Sequence, residues 1–229
     1  MSNKVQKQSY IKRTIASVAE TKYWDTAGDL DSTTIPVTNM GSVYDLSLIP
    51  QNNSNKGRVG DRVTLTNVEV KLSFTLPLIN METTPPTTPI DDYIFRIIVF
   101  IWCDETVPTV DDILDTSLST TNQGNVLSFY NFDKKVKWIS LVDETHNASY
   151  GRNKTDTGGV TINGVDRTST SMWYDKDLRN KDIRIDFING TTQGLYKVYM
   201  LLIDNSFIDD NQDATWRTTY KTRILYKDF

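Results

Sequence analysis

Apolar and polar side chains alternate along most of the chain with the period of a β-strand. In RVTLTNVEVKLSFTLP, Val63 and Leu65 are apolar, then Val68, Val70, Leu72 and Phe74. The phase slips once between Leu65 and Val68, as a β-bulge slips it, and Pro77 stops the run. DDYIFRIIVFIWCDE is apolar on both of its faces and predicts a central strand covered on both sides. KKVKWISLVDE (Lys134 to Glu144) predicts another strand, with Val136, Trp138 and Ser140 on one face and Lys137, Ile139 and Leu141 on the other. Strands are also expected at Glu20–Asp25, Ser42–Ile49, Ile183–Ile188, Tyr196–Ile203 and Thr215–Phe229, with a turn at Asn189-Gly190. Helical spacing is confined to TVDDILDTSL, where Asp111 and Asp112 suit a first turn, and to the first dozen residues.

About eight strands without interleaved helices predict an all-β fold, an antiparallel two-sheet β-sandwich. The stretches INMETTPPTTPIDD and THNASYGRNKTDTGGVTINGVDRTSTS exceed hairpin turns and read as functional surfaces or flexible connections. No internal repeat or low-complexity boundary divides the chain, so the expected organisation is an arm over residues 1–16 and one domain over residues 17–229.

At 229 residues such a domain buries roughly 70–75% of its unfolded surface and needs no disulfide staples. The only cysteine, Cys103, lies in an apolar run and reads as a buried small side chain. No apolar run approaches the ~20 residues of a membrane-spanning helix, and the start of the chain lacks the apolar stretch of a signal peptide. The expectation is a protein made outside the secretory pathway, with sequons at Asn147 and Asn153 unused and no membrane insertion.

Formal net charge is −4, from 25 basic and 29 acidic residues, so the chain as a whole is no general polyanion binder. The charge is uneven, however. Lys4, Lys7, Lys12 and Arg13 precede the first acid, Glu20, and are interleaved with Gln6, Gln8 and Tyr10. They suit non-specific contact with a nucleic-acid backbone, and equally a solvated terminus.

Candidate chemistry is thin. The lone histidine, His146, has no nucleophile elbow beside it. One His and one Cys are too few for a zinc site, and the spacing of Asp111, Asp112 and Asp115 does not match an EF-hand, although acids of this kind bind calcium where subunits meet. NKGRVGD is glycine-spaced and basic, yet it lacks the Gly-Lys-Ser/Thr ending of a phosphate loop and leads into a strand where such loops lead into a helix. A non-enzyme is expected, with no catalytic residue, metal or cofactor.

Four segments in order carry a resemblance: Arg58-Val59-Gly60-Asp61-Arg62-Val63 opening a long strand, Arg96-Ile97-Ile98-Val99, Pro108 to Leu114, and Lys137 to Asp143. Their order and spacing resemble the capsid proteins of small circular single-stranded DNA viruses that encode a replication-initiator protein, the circovirus-like group. The motifs span Glu20 to Asp143, and the remainder matches in strand pattern alone.

The resemblance implies an eight-stranded jelly roll that self-assembles into an icosahedral shell of about sixty copies around a single-stranded DNA genome. It also implies assembly in the host nucleus, and attachment to a host receptor through outward loops. Nucleic acid would meet Lys4, Lys7, Lys12 and Arg13, with Arg58 and Arg62 as candidates for genome-facing or subunit contacts. The chain departs from the group in one respect: members begin with a long arginine-rich arm, and this start is only modestly basic. Two other readings fit a β-sandwich: the coat protein of a small RNA virus, and a carbohydrate-binding module stacking sugars on Trp173, Tyr174, Trp216 or Tyr150.

Overall fold

The computed structural model describes residues 20–31, 41–75, 92–116, 126–149, 171–204 and 217–228. Nine strands form two antiparallel sheets: β1 (Thr21–Asp31), β2 (Ser42–Asp45), β3 (Arg62–Thr75), β4 (Asp92–Trp102), β5 (Trp138–Ser149), β6 (Ser171–Phe187), β7 (Gly194–Leu195), β8 (Lys197–Asp204) and β9 (Arg217–Asp228). The first sheet has the order β1-β9-β3-β6-β7 and the second β2-β8-β4-β5.

With the two-residue β7 set aside, the strands pair first with last, second with next to last, and so inward to β4 with β5. A long hairpin wound around itself gives this order, which is the path of a jelly roll. The count is nine where eight were expected, because β7 adds an edge to β6.

The alternation read from the sequence becomes burial. Val63, Leu65, Val68, Val70 and Leu72 of β3 point into the sandwich, facing Phe95, Ile97, Val99 and Ile101 of β4 and Val198, Met200 and Leu202 of β8. The phase slip is real: the register of β3 against both β6 and β9 shifts between Leu65 and Asn67. β4 is apolar on both faces because its second face has its own cover. Ile98, Phe100 and Trp102 pack with Tyr199, Leu201 and Ile203 under Ile113, Leu114 and Val126. That cover contains α1 (Val110–Ile113), the helical turn expected in TVDDILD.

Three expectations need correction. The strand expected from Lys134 begins only at Trp138, because Phe132–Lys137 forms a 3-10 turn in which the Asn131 side chain accepts from the Asp133 N–H. Val136 is therefore 88% exposed. The loop expected from Thr145 starts later, since β5 stays paired with β4 as far as Asp92↔Ser149. Finally, β6 begins at Ser171, twelve residues before the expected Ile183, and it lies in the opposite sheet from β8. Gly190, at φ +74°, supplies the left-handed turn between them, and Tyr196, at φ +62°, sits at the crossing itself.

The register fixes which connections share an end. Asp31 lies opposite Arg217, Thr75 opposite Ser171, and Asp92 opposite Ser149. Segments 32–40, 76–91, 150–170 and 205–216 thus leave from and return to one end of the sandwich. At the other end Thr21 lies opposite Lys227 and Arg62 opposite Asp186, so the segment preceding Glu20 departs there.

Candidate functional site

The glycine-spaced corner between β2 and β3 is built around two buried charges. Arg58 has no exposed surface. Its guanidinium donates to Asp61 Oδ1 at 2.9 Å and to the carbonyls of Gly60 and Thr191, and it stacks 4.3 Å from the Phe187 ring centre. One side chain thus ties the corner to the end of β6 and to the turn after it. Gly57 is required by contact: a Cβ there would come within 2.0 Å of the Asn52 side-chain oxygen, which itself accepts from the Ser54 N–H.

The second charge is Asp228, near the end of β9. Its carboxylate accepts from the N–H groups of Val59 and Gly60 and from Lys22 Nζ at 3.2 Å, and Lys22 also donates to the Gly57 carbonyl. The corner is an anion site in form, but the anion is the protein's own carboxylate. Lys22 and Asp228 were not singled out from the sequence. They lie 206 residues apart, and neither carries a local signal.

This placement corrects the expectation for Arg58, whose buried and fully engaged guanidinium has no face to offer a phosphate. Arg62 is different. Its side chain is 59% exposed, and its Nε donates to Asp186 Oδ1 at 2.7 Å while Arg184 donates to the same oxygen at 2.9 Å. Burial works to raise the Asp186 pKa, but the two arginines outweigh it and hold the carboxyl below its ordinary value. Two cations share one anion, which leaves positive charge at the surface beside the corner.

The rest of that outer face is compensated. Across β1, β9 and β3 the outward row Asp25, Arg223, Glu69 alternates in sign, and Lys71 pairs with Asp175 of β6. Arg223 grips Asp25 with two hydrogen bonds of 2.7 and 2.9 Å, and that bond keeps the Asp25 carboxyl low. A shallow groove of about 420 Å³ crosses these strands between Asp25, Glu69, Lys71, Lys221 and Arg223. Such a surface favours neither polyanions nor polycations.

Lys4, Lys7, Lys12 and Arg13 lie outside the described residues, as do Tyr150 and Trp216. Trp173 and Tyr174 fall in β6, and their side chains are likewise not described. His146 lies within β5, opposite Phe95 and 3.7 Å from Glu144, and not in a loop. Cys103 is half-buried, and burial pushes its thiol pKa up, away from reactivity. Among the described residues no group of three or more His, Cys, Asp or Glu side chains is placed to hold a metal ion, and no helix is long and apolar enough to cross a membrane.

A second buried cluster fastens the cover over the second sheet. Arg96 of β4 forks onto Asp143 of β5 at 2.8 and 2.7 Å, then reaches the carbonyls of Val126 and Ser128 at 3.2 and 2.6 Å. The Tyr130 hydroxyl donates to the same carboxylate. Burial alone would raise the Asp143 pKa, but the bonds from Arg96 and Tyr130 prevail and lower it. Both acidic and basic partners fall inside segments marked in the sequence, and their pairing appears only once β4 and β5 are in register.

No protein-family model matches the chain, and no curated protein matches it. Among solved structures, the VP2 subviral particle of infectious bursal disease virus is 8% identical, at a TM-score of 0.23 over 88% of this chain and 32% of that one. The T13 particle of the same virus is 10% identical, at a TM-score of 0.16 over 89% and 35%. The chain spans about a third of the length of these proteins. Scores of this size are too low to carry an argument about fold or function.

Proposed function

We propose that the chain is a coat protein that self-assembles into a closed icosahedral shell around a single-stranded DNA genome. The observation that carries this reading is the polarity of the sandwich. Four long connections emerge at one end, and the segment bearing Lys4, Lys7, Lys12 and Arg13 departs from the other. A shell subunit needs that separation, with variable loops outward or at symmetry axes and a basic segment turned toward the genome. The nested strand pairing and the ordered motifs from Arg58 to Asp143 support it further.

In this reading the protein is no enzyme and uses no cofactor. It resides in the virion, assembles in the host nucleus, and meets its receptor through the four-loop end. Direct contact with the genome falls to the N-terminal segment and Arg62, while Arg58 holds the corner together.

The test is assembly of purified protein with circular single-stranded DNA, with single-stranded RNA, and with neither, followed by nuclease digestion. Particles that protect DNA in preference to RNA support the reading. Protection of RNA alone points to an RNA-virus coat protein. A stable monomer that protects neither, and binds glycans instead, contradicts the reading.

A further inference from the structure

The cover over the second sheet has two sides. Its inner side seals Phe100, Trp102 and Tyr199. Its outer side exposes Leu127 (81%), Phe129 (76%), Phe132 (82%), Val136 (88%) and Ile139 (54%), all within one short stretch of chain. From the exposure of five such side chains, the apolar surface presented is roughly 700 Å². That exceeds the ~300–600 Å² of the largest patch on a typical monomer and approaches the ~800 Å² each partner contributes to a standard interface.

The stretch is held in one shape. Arg96 binds the Val126 and Ser128 carbonyls, Asp115 N–H donates to Phe129 O at 2.7 Å, and Asn131 N–H donates to Ile113 O at 2.9 Å. Beside it runs β5, the edge of its sheet, which pairs only with β4. The half of that edge adjoining the patch, Trp138 to Val142, carries no charge. The neighbouring segment in sequence, SLSTTNQGN over residues 117–125, contains a single large apolar residue, Leu118, and is too polar to cover such a surface.

The charges around the patch indicate what does cover it. Asp111 and Asp133 flank Phe132 in one pocket and have no ion-pair partner among the described residues. On the other side Lys135 lies 3.5 Å from the Trp138 ring centre, and it too has no carboxylate partner there. An apolar centre with unpaired acids on one flank and an unpaired cation on the other complements itself under a two-fold rotation.

We propose that the outward face of residues 127–139 docks against the same face of a second copy of this chain across a two-fold axis. Phe132 and Val136 pack at its centre, and Lys135 of each copy meets the acids of the other. This deepens the assembly reading and rests on it, by naming the surface through which two subunits first join.

The experiment is sedimentation across a concentration series for the wild type, Phe132→Asp, Val136→Asp, Asp133→Lys and Lys135→Glu. Circular dichroism verifies that each variant is folded, as their outward positions imply. The apolar variants are expected to weaken pairing by roughly thirtyfold or more. Each charge variant should weaken it alone, and an equimolar mixture of Asp133→Lys with Lys135→Glu should restore it.

Variants that associate like the wild type overturn the inference and leave the shell reading standing. A wild type that stays monomeric throughout overturns both. Weakening by the charge variants without recovery in the mixture overturns the two-fold arrangement. If Phe132→Asp speeds proteolysis within 117–125 while sedimentation is unchanged, that segment covers the face and the inference fails.

Discussion

Arg58 and Arg62 are four residues apart and carry the same charge, yet they do different work. Arg58 is enclosed and bridges three segments, whereas Arg62 stands on an exposed strand and shares a carboxylate with Arg184. Arg58→Met leaves the carbonyls of Gly60 and Thr191 without their donor. It is expected to cost about 2–4 kcal/mol in urea unfolding, as removal of a buried, hydrogen-bonded charge does. Arg62→Ala should stay within about 0.5 kcal/mol of the wild type, because an exposed ion pair contributes little. Equal midpoints for the two variants would contradict this division of labour. Nothing local distinguished the two arginines in RVGDR, since burial of the first depends on Phe187 and Thr191, more than a hundred residues away.

The elements legible in the sequence are those whose outward and inward positions kept their ordinary chemistry. β3 announced even its bulge, and β4 announced its double burial, because their inward residues are uniformly apolar. The first half of β6 was not legible, because Lys176 occupies a position between the sheets and reaches Glu144 of β5, so the alternation breaks. The 3-10 turn was mistaken for strand because Val136 and Trp138 are two apart, while the Asn131 cap that bends the chain lies outside that pattern. The Arg96–Asp143 clamp joining β4, β5 and the cover gives a pH prediction. Its carboxyl is held below the ordinary aspartate value of 3.8, so its stabilisation is fully present above that value and is lost as the pH falls through the lowered one. Asp143→Asn should therefore be less stable than the wild type at neutral pH, with the gap closing on acidification below 3.8. Thermal melts across pH measure this, and a gap that widens in acid would contradict it.

The whole molecule is polar along its strands, with four long connections at one end and the basic segment at the other. This polarity was not readable before the fold, since it follows from the nesting of strand pairs and not from any residue. It assigns the positive charge of a net acidic chain to one place. Replacing Lys4, Lys7, Lys12 and Arg13 with alanine should reduce the salt dependence of single-stranded DNA binding by a slope of about 3, at ~0.7 per lost phosphate contact. An unchanged slope would move nucleic-acid binding elsewhere.

The central claim, that this sandwich is a subunit of a closed shell, is tested most directly by electron microscopy of the purified protein in negative stain. The account predicts uniform hollow spheres with icosahedral outlines. Fields containing only monomers, across a range of pH and salt, would contradict it.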